Sequence, residues 1–250
     1  MIAYAFDGTQ NGLLCCLFDS FTGKEKPFLV TSAPLQLGLD FDVLSVKTDE
    51  EKALRVRAGL IKYGRIALLN RLFYVLRSND DLKETIVFNV AYKCLENRRD
   101  ETFNYADADV VQFDELYRKI SIESHRYLGF VRFESSADGI WYSHVEPDND
   151  VVDLIAPHFL KRFATKFIIH DVKRNVAVLS DGKRLYTRKL LKPLAVFLSP
   201  SETEMKELWK TYYQSVNIKE RKNVRQMNGY MPRRYHKHLP ERNLPGEFFN

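Results

Sequence analysis

Short apolar runs separated by turn residues open the chain. Thr9 follows the Asp7-Gly8 turn and can cap the helix that begins after it, where apolar residues recur at helical spacing. Two later apolar runs are bounded by proline and glycine, and their brief alternation leaves their pairing partners open. The predicted elements are strands at 2–6, 28–31 and 43–46 and a helix over 10–21.

Helical periodicity dominates from residue 48 onward. Thr48 and Glu51 have the spacing of a capping box, in which each side chain satisfies a free backbone N–H of the first turn. Gly64 is expected to interrupt the first of these helices, because glycine is a weak helix former. Two further helices are predicted over 81–97 and 109–127. We therefore expect a helical layer over about 48–128.

The second half of the chain has two hairpin patterns. Apolar runs at 129–134 and 139–145 are joined through Asp138-Gly139, and runs at 176–179 and 185–187 flank Asp181-Gly182. Asp-Gly is a frequent hairpin-turn dipeptide because its glycine accepts a positive φ. Both patterns predict antiparallel pairing.

Between the hairpins lies an acidic loop at 146–150. Asp150 can cap a following helix, and Pro157 is expected to kink or restart that helix. His158 and Arg162 lie four residues apart and so share one face. A short apolar run at 167–169 then predicts a buried strand that ends at His170 and Asp171.

A last helix is predicted near Ser201, where Ser201 and Glu204 have capping-box spacing. Its bulky side chains recur at helical spacing, so we expect them in the core. They are Met205, Leu208, Trp209, Tyr212, Tyr213 and Val216. The predicted fold class is α+β, with antiparallel hairpins and a helical layer in a single compact domain or two closely packed subdomains. The predicted divisions are a body over 1–200, whose hairpin-rich part covers 129–198, and an anchoring helix with a basic arm over 201–250.

Charge is concentrated near the end of the chain. The net charge is +5, and residues 219–242 hold eight of the 38 basic residues but only two of the 33 acidic ones. That segment, which we call the arm, therefore carries +6 and the remainder −1. A basic arm on a nearly neutral body is typical of phosphate contact, with a solvated, disordered tail or a contact with an acidic protein as alternatives.

Composition narrows the setting. The chain has three cysteines, with no metal-ligand spacing, and no stretch of 18 apolar residues. We therefore expect a reduced, cytoplasmic protein without a membrane span, in which Cys94 is a core thiol. Basic side chains at 55, 57, 62, 65 and 71 also line the predicted helices, where solvation is the ordinary explanation and nucleic-acid contact the alternative.

Five side chains around the acidic loop are candidates for catalysis. They are Asp148, Asp150, His158, His170 and Asp171. Carboxylate and imidazole groups can hold a divalent metal for phosphodiester chemistry, or one of them can activate water for glycosidic cleavage. The chain has no HExxH, no P-loop and no Rossmann glycine motif. The same residues could instead form a buried polar network or dock a nucleotide.

Motifs along nearly the whole chain resemble a bacterial family labelled "probable DNA metabolism protein". They are Tyr4-x-Phe6-Asp7-Gly8-Thr9, Glu123-x-His125-Arg126, Gly129-Phe130-x-Arg132-Phe133, Pro147-Asp148-x-Asp150, Pro157-His158-Phe159, Ile169-His170-Asp171 and Met231-Pro232-Arg233-Arg234-Tyr235. The chain departs from the family pattern at Asn149 and His236. The resemblance implies a domain found beside, or fused to, proteins of the uracil-DNA glycosylase superfamily, and a radical-SAM partner in DNA repair or modification. It implies no settled activity.

Charge and resemblance together favour a DNA-binding accessory protein that works with a radical-SAM or glycosylase-type partner. No cofactor is expected, although a divalent metal is possible. The alternatives are a DNA-processing enzyme, either a nuclease or a base glycosylase, that uses the five candidates above, and a protein-protein scaffold. The residues predicted to contact nucleic acid are Arg126, Arg132, Arg162, Arg174, Arg221, Lys222, Arg225, Arg233, Arg234, Tyr235 and Lys237. For Arg132, placed by the pattern on a hairpin strand beside Phe130, Asp148 or Asp150 is the structural alternative to a phosphate.

Overall fold

Helices and strands are both abundant, which confirms the α+β class. The computed structural model describes residues 1–23, 25–34, 41–192, 194, 196–221 and 223–242. Its internal contacts divide the chain into two units, Met1–Ser121 and Ile122–Asn250. The predicted boundary at residue 200 lies inside the second unit. Within the described segments, no helix combines the length and the apolar character needed to cross a bilayer.

The first unit is built on a three-stranded parallel sheet. Its strands are β1 (Ile2–Ala5), β2 (Leu29–Thr31) and β3 (Asp42–Ser45), in the order β2-β1-β3. Tyr4 of β1 pairs with Val30 on one side and Leu44 on the other. Helix α1 (Gln10–Phe21) connects β1 to β2, and the Thr9 hydroxyl accepts from the Gly12 N–H at 2.9 Å, which confirms the predicted cap. The parallel pairing settles what the sequence pattern left open.

Three long helices follow: α2 (Glu50–Val75), α3 (Lys83–Glu96) and α4 (Ala108–Phe130). The predicted capping box of α2 is wrong, because Asp49 is its N-cap and accepts from the Lys52 N–H at 3.0 Å. The Thr48 hydroxyl instead donates to the Asp7 carboxylate at 2.7 Å. A carboxylate is the stronger acceptor for that hydroxyl, so a contact 41 residues away overrides the local cap.

The interruption predicted at Gly64 falls at the next residue. Arg65 has φ 60° and ψ −174°, so α2 consists of two helical segments joined at this point. A Cβ added to Gly64 would lie 2.5 Å from the Leu68 Cβ. Glycine is therefore required at position 64, because a Cβ there would clash with the Leu68 side chain.

Apolar side chains fill the core of the first unit. Tyr4, Leu60, Phe88 and Phe113 are among its fully buried members. The three cysteines are also buried and free, which confirms Cys94 as a core thiol. Burial raises the pKa of Cys94 to about 11, so this thiol stays protonated at neutral pH.

The second unit contains a five-stranded sheet in the order β4-β5-β6-β7-β8. Its strands are β4 (Glu134–Ser135), β5 (Trp141–Val145), β6 (Lys166–Asp171), β7 (Val176–Asp181) and β8 (Leu185–Lys189). The β4–β5 and β7–β8 pairs are antiparallel, which confirms both hairpin predictions, and the β6–β7 pair is antiparallel as well. The β5–β6 pair is parallel, with His144 in register with His170. Gly139 (φ 73°) and Gly182 (φ 93°) occupy the turn positions that favour glycine.

The first hairpin has a shorter opening strand than predicted. Helix α4 continues to Phe130, so Arg132 lies in the connection before β4 and not on a strand. The Tyr235 ring packs against Tyr127 at 5.0 Å and Phe130 at 5.1 Å between ring centroids. This packing, which links residues more than 100 positions apart, stabilises the extra helical turn over the local strand pattern.

Helix α5 (Val152–Phe163) differs from prediction at two points. Val151 is its N-cap and makes no side-chain cap bond, so the capping role predicted for Asp150 is wrong. The helix also continues through Pro157, so the predicted restart is wrong. Proline removes only one backbone hydrogen bond here, and the buried side chains of Ile155 and Phe159 hold the helix against the sheet.

Helix α6 (Glu202–Ser215) also lacks its predicted capping box. Ser201 makes no cap bond because its hydroxyl is hydrogen-bonded to that of Ser199 at 2.9 Å. The bulky stripe on this helix lies at the surface, so its assignment to the core is wrong. Its exposed members retain 40–58% of their accessible area: Met205, Leu208, Trp209, Tyr212 and Val216. A helix can keep such a face when its anchoring contacts come from other side chains.

The arm is folded. It contains 3-10 turns at Lys219–Arg221, Arg233–His238 and Pro240–Arg242 and helix α7 (Val224–Tyr230). Tyr235, Leu239 and Glu241 are buried. The alternative of a disordered tail is therefore wrong for the described part of the arm, which anchors itself through its own side chains.

Candidate functional site

The five candidate catalytic residues do not form one cluster. His170 and Asp171 are neighbours at the end of β6, so they face opposite sides of the sheet. His158 lies on the exposed side of α5, with its ring against Phe159. Within the described residues, no group of three or more His, Cys, Asp or Glu side chains could hold a metal ion.

The acidic loop folds around a buried carboxylate, that of Glu123 in α4, about two turns before the end of that helix. It accepts hydrogen bonds from the backbone N–H groups of Asp148 (2.9 Å) and Asn149 (2.8 Å) and from the Asn149 side chain (2.6 Å). Glu123 is 2% exposed. Its three bonds satisfy a buried charge and fix the shape of the loop. The sequence placed Glu123 only at a helix end, because its partners lie 25 and 26 residues away.

Arg174 fastens the same loop to the sheet. Its guanidinium donates to the Asp171 carboxylate at 2.9 Å, to the Pro147 carbonyl at 2.9 Å and to the Asp148 carbonyl. Asp171 is fully buried and also accepts from two backbone N–H groups in the turn after β6. Arg174 and Asp171, both predicted site residues, therefore have a structural role in this conformation, because they bind the acidic loop to the end of β6.

Two more predicted cations are paired with carboxylates of the acidic loop and α4. Arg234 contacts Asp148 and lies 3.6 Å from the Glu123 carboxylate. Lys237 pairs with Glu146 at 2.5 Å, which lowers the pKa of that carboxyl. These pairs join the arm to the acidic loop and involve two of the loop's three acidic residues but only two of the arm's eight basic ones.

Arg132 pairs with Glu241 at 2.5 Å, so neither acidic-loop partner considered for it is used. Glu241 is 2% exposed and also accepts from the Trp209 indole N–H at 2.9 Å. Burial raises the pKa of Glu241, but the hydrogen bonds from Arg132, its own backbone and Trp209 outweigh that effect and lower it overall. The buried carboxylate thus connects α6, the end of the arm and the segment after α4.

The other predicted cations have no carboxylate partner in the described part of the chain. They are Arg126, Arg162, Arg221, Arg225 and Arg233. Arg126 donates to the Gly229 carbonyl at 3.1 Å, which places it beside the end of α7. Lys222 lies outside the described residues. Tyr235 is 3% exposed and packs the arm, so its ring offers no free face to a base in this conformation.

A tyrosine–histidine cluster lies on one face of the sheet. The Tyr142 hydroxyl is hydrogen-bonded to His170 Nδ1 at 2.9 Å, and the His144 ring meets the His238 ring edge to face at 4.7 Å. Burial lowers the pKa of His170 and of His238. His144 joins His170 only because β5 and β6 pair in parallel, so the sequence pattern could not place it there.

An aromatic cleft of about 810 Å³ opens on the other side of the same unit. Trp141, Phe163 and Trp209 contribute aromatic surface, and Arg132, Arg162 and Lys206 contribute cations. Glu134 and Glu202 also line it, the first paired with Lys206 at 2.6 Å and the second accepting from the Ser135 N–H. The sequence analysis missed this cleft because its tryptophans are 68 positions apart and one of them was assigned to the core.

In the first unit, Asp7 is engaged by its own turn. One oxygen accepts from the Thr9 N–H and hydroxyl, and the other accepts from the Thr48 hydroxyl. Burial raises the pKa of Asp7, but these hydrogen bonds outweigh it and lower the pKa overall. This geometry favours the turn interpretation over a catalytic one.

The protein has an α+β fold, and the cleft, all six histidines and both tryptophans lie in its second unit. A family model described as a domain of unknown function, DUF4130, matches residues 81–241, and the chain belongs to this family. The matched range includes the acidic loop, the cleft and almost all of the described arm. No curated protein and no solved structure matches the chain.

Proposed function

We propose that this protein is a DNA-binding accessory protein of a DNA repair or base-modification system. The observation that carries the proposal is that the predicted cations of the second unit fall into two groups, those paired with carboxylates and those that are not. Five predicted cations have no carboxylate partner among the described residues, and three of them, Arg221, Arg225 and Arg233, are exposed on the arm. An exposed cation without an internal partner can neutralise a phosphate without breaking an existing ion pair.

The paired cations have a structural role, which leaves phosphate binding to the unpaired ones. Arg132, Arg174, Arg234 and Lys237 hold the acidic loop, α6 and the arm in place. Arg126 lies at the end of α7 and extends the unpaired set beyond the arm. The proposed contact surface is therefore the segment 218–233 with Arg126, and Tyr230, which is 74% exposed, offers a ring on which a base can stack.

The proposal is tested by fluorescence anisotropy of labelled single-stranded and duplex DNA over a salt series. Truncation of the arm would expose buried surface, because Tyr235, Leu239 and Glu241 are core residues. The sharper variant is the triple substitution R221Q/R225Q/R233Q in the full-length chain. Removal of three phosphate contacts is expected to lower the log–log salt slope by about 2 for single-stranded DNA.

A matched control removes the same charge elsewhere in the second unit. The triple variant K183Q/R188Q/K189Q changes exposed cations of the β7–β8 hairpin that are outside the predicted set. It should keep both affinity and slope. Equal losses in the two triples, or no salt-sensitive DNA binding by the unaltered chain, would contradict the proposal and favour a protein-protein scaffold.

The proposed partner is a radical-SAM protein, a glycosylase-type protein, or both. Support comes from the motif resemblance given above. The exposed apolar face of α6 is a suitable contact for a protein surface, since Leu208 and Val216 are 57% and 55% exposed. Co-elution of purified candidate partners in size-exclusion chromatography tests this. Loss of co-elution in L208K but not in Q214K, which changes an exposed residue on another side of α6, would support the face.

A second candidate function, a DNA-processing enzyme, is favoured by one observation. The Nε2 atom of His170 is buried and has no hydrogen-bond partner within the described residues, while its Nδ1 is held by Tyr142. In the tautomer whose Nδ1–H donates to the Tyr142 oxygen, Nε2 of the neutral imidazole carries the lone pair that can accept a proton as a general base. Turnover of oligonucleotide substrates that is lost in H170A and D148A, with DNA affinity kept, would support the enzyme; no turnover in the unaltered chain would exclude it for those substrates.

A further inference from the structure

We propose that the aromatic cleft of the second unit binds an unstacked nucleobase of single-stranded DNA. The inference deepens the proposed function and rests on it, because the arm would deliver the strand that the cleft reads. A cavity of about 810 Å³ is within the usual range for small-molecule sites and is large enough for a nucleotide. The occupant is inferred from the chemistry of the walls.

The walls of the cleft expose aromatic rings to solvent, and contact with an apolar or aromatic ligand would remove that apolar surface from water. Trp141, Trp209 and Phe163 are 42%, 40% and 37% exposed although all three line a concave surface. Bases have a π-face irrespective of sequence, so stacking on such rings is a general way to hold a single strand. The rings of Trp209 and Tyr212 are 5.6 Å apart on consecutive turns of α6, which offers a second platform for the neighbouring base.

The charges of the cleft complete the match to a nucleotide. Arg162 has no carboxylate partner in the described part of the chain and lies over the edge of the Phe163 ring, 5.6 Å from its centroid. The other cations, Arg132 and Lys206, are neutralised by Glu241 and Glu134. Glu202 also lines the cleft and, within the described residues, accepts only from the Ser135 N–H, so Arg162 is the one cation of the lining outside an ion pair, and its guanidinium can bind the phosphate attached to a flat, neutral ring.

An apolar peptide is the competing occupant, and the cleft's own charges disfavour it. A peptide side chain would bury Arg162 without giving it an acceptor, which costs free energy. A base with its phosphate satisfies both the rings and the cation. The walls also carry carboxylate and hydroxyl groups, from Glu202 and Ser201, that can accept or donate hydrogen bonds at a base edge.

The two tryptophans of the chain both line the cleft, so fluorescence excited selectively in tryptophan, and not in the 13 tyrosines, reports on this site. The experiment titrates the full-length protein with an oligothymidine and with an abasic oligonucleotide of equal length. Tryptophan quenching and the anisotropy of an end label are read in the same titration. The inference predicts strong quenching by oligothymidine and little by the abasic strand.

Substitutions then locate the contact. W141A should weaken oligothymidine binding by roughly 5-fold to 150-fold, the range expected for one stacked base, whereas W141F should retain most of the affinity. R162Q should weaken binding of both strands, with R188Q on β8 as the exposed control arginine. Circular dichroism and thermal melting exclude a folding defect in each variant.

The outcomes separate this inference from the proposed function. Binding by anisotropy with no quenching, or with equal quenching by the abasic strand, overturns the cleft and leaves the DNA-binding proposal standing. An affinity unchanged in W141A also overturns it. No binding of either strand overturns both proposals, and quenching by an apolar peptide but not by oligothymidine replaces the base with a protein ligand.

Discussion

The two units of this chain differ in which chemically reactive side chains they hold and in what fixes those side chains. The first has an apolar core in which all three cysteines are buried. The second contains all six histidines and both tryptophans, and its irregular segments are held by ion pairs and hydrogen bonds to buried carboxylates. Both units bury apolar side chains, and the first also buries the carboxylates of Glu84 and Glu101, but in the second unit the buried carboxylates hold the segments that carry the candidate site.

This difference indicates where function is concentrated. An apolar core tolerates changes of similar volume, but a buried carboxylate with three donors tolerates almost none. Irregular segments that carry such groups, together with exposed aromatic rings and unpaired arginines, are typical of binding surfaces supported by a rigid scaffold. The difference can be tested one unit at a time, because thiol reactivity reports on the first unit and tryptophan fluorescence on the second.

The largest expected effect is the loss of a buried ring from the first unit. Phe88 is 0% exposed, so F88A should lower the free energy of unfolding by about 3–5 kcal/mol. The measurement is the denaturant dependence of thiol labelling at the three cysteines. F103A is the control, because Phe103 is 60% exposed, and equal destabilisation by the two variants would contradict the volume-based account.

The next effect is the loss of charge at the centre of the acidic loop. E123Q keeps the shape of the side chain but replaces one carboxylate oxygen with an NH2 group, which faces N–H donors and cannot accept from them. The free energy of unfolding of the second unit should therefore fall by about 2 kcal/mol. Tryptophan fluorescence in denaturant gives the value. E204Q changes an exposed glutamate on α6 and should have little effect; a loss as large as that of E123Q would show that charge alone, and not the pairing, is responsible.

A smaller effect is expected from pH, and only the second unit has histidines to show it. Burial lowers the pKa of His170 below its unfolded value of about 6.5, so the folded state resists protonation. Stability from this group is complete above that value and is lost as the pH falls through it, because the unfolded chain then takes up the proton more readily. The unaltered protein should lose stability between pH 7.5 and 5.5, and H170Q should lose less of it over that range. H158Q, which changes an exposed residue, should behave like the unaltered protein.

The smallest effect on stability is expected from the exposed ion pair between the arm and the acidic loop. Lys237 is about two-thirds exposed in its ion pair with Glu146, so K237Q should cost no more than about 0.5 kcal/mol at low salt. The loss should vanish at high ionic strength. Unfolding followed by tryptophan fluorescence at two salt concentrations checks this, and a loss comparable to that of E123Q would mean that the exposed pair contributes far more than its solvation allows.

Local patterns in the sequence predicted the regular elements well. Helix α1, its Thr9 cap and the Asp-Gly turns at 139 and 182 depend on neighbouring residues, and all agree with the structure. The predicted caps at Thr48 and Ser201 are wrong because each hydroxyl has another partner, Asp7 for the first and Ser199 for the second. Propensity identifies a good cap but cannot see a competing acceptor.

The candidate site was less accessible to sequence analysis. The charge count found the basic arm, but it could not show that Lys237 and Arg234 meet acidic partners 91 and 86 residues earlier in the chain. The cleft depends on the parallel register of β5 and on an exposed stripe of α6, and neither has a local signature. Long-range pairing therefore determines which of the predicted residues remain free to bind.

The most direct test of the account is photocrosslinking of single-stranded DNA that contains 5-iodouracil, followed by mass-spectrometric mapping. The account predicts crosslinks in the second unit, at Trp141 or Trp209 and in the arm segment 218–233. Basic side chains also line α2, where Arg71 pairs with Asp114 and Arg57 donates to Asn11. Crosslinks confined to α2, or none at all, would contradict the assignment of DNA binding to the second unit.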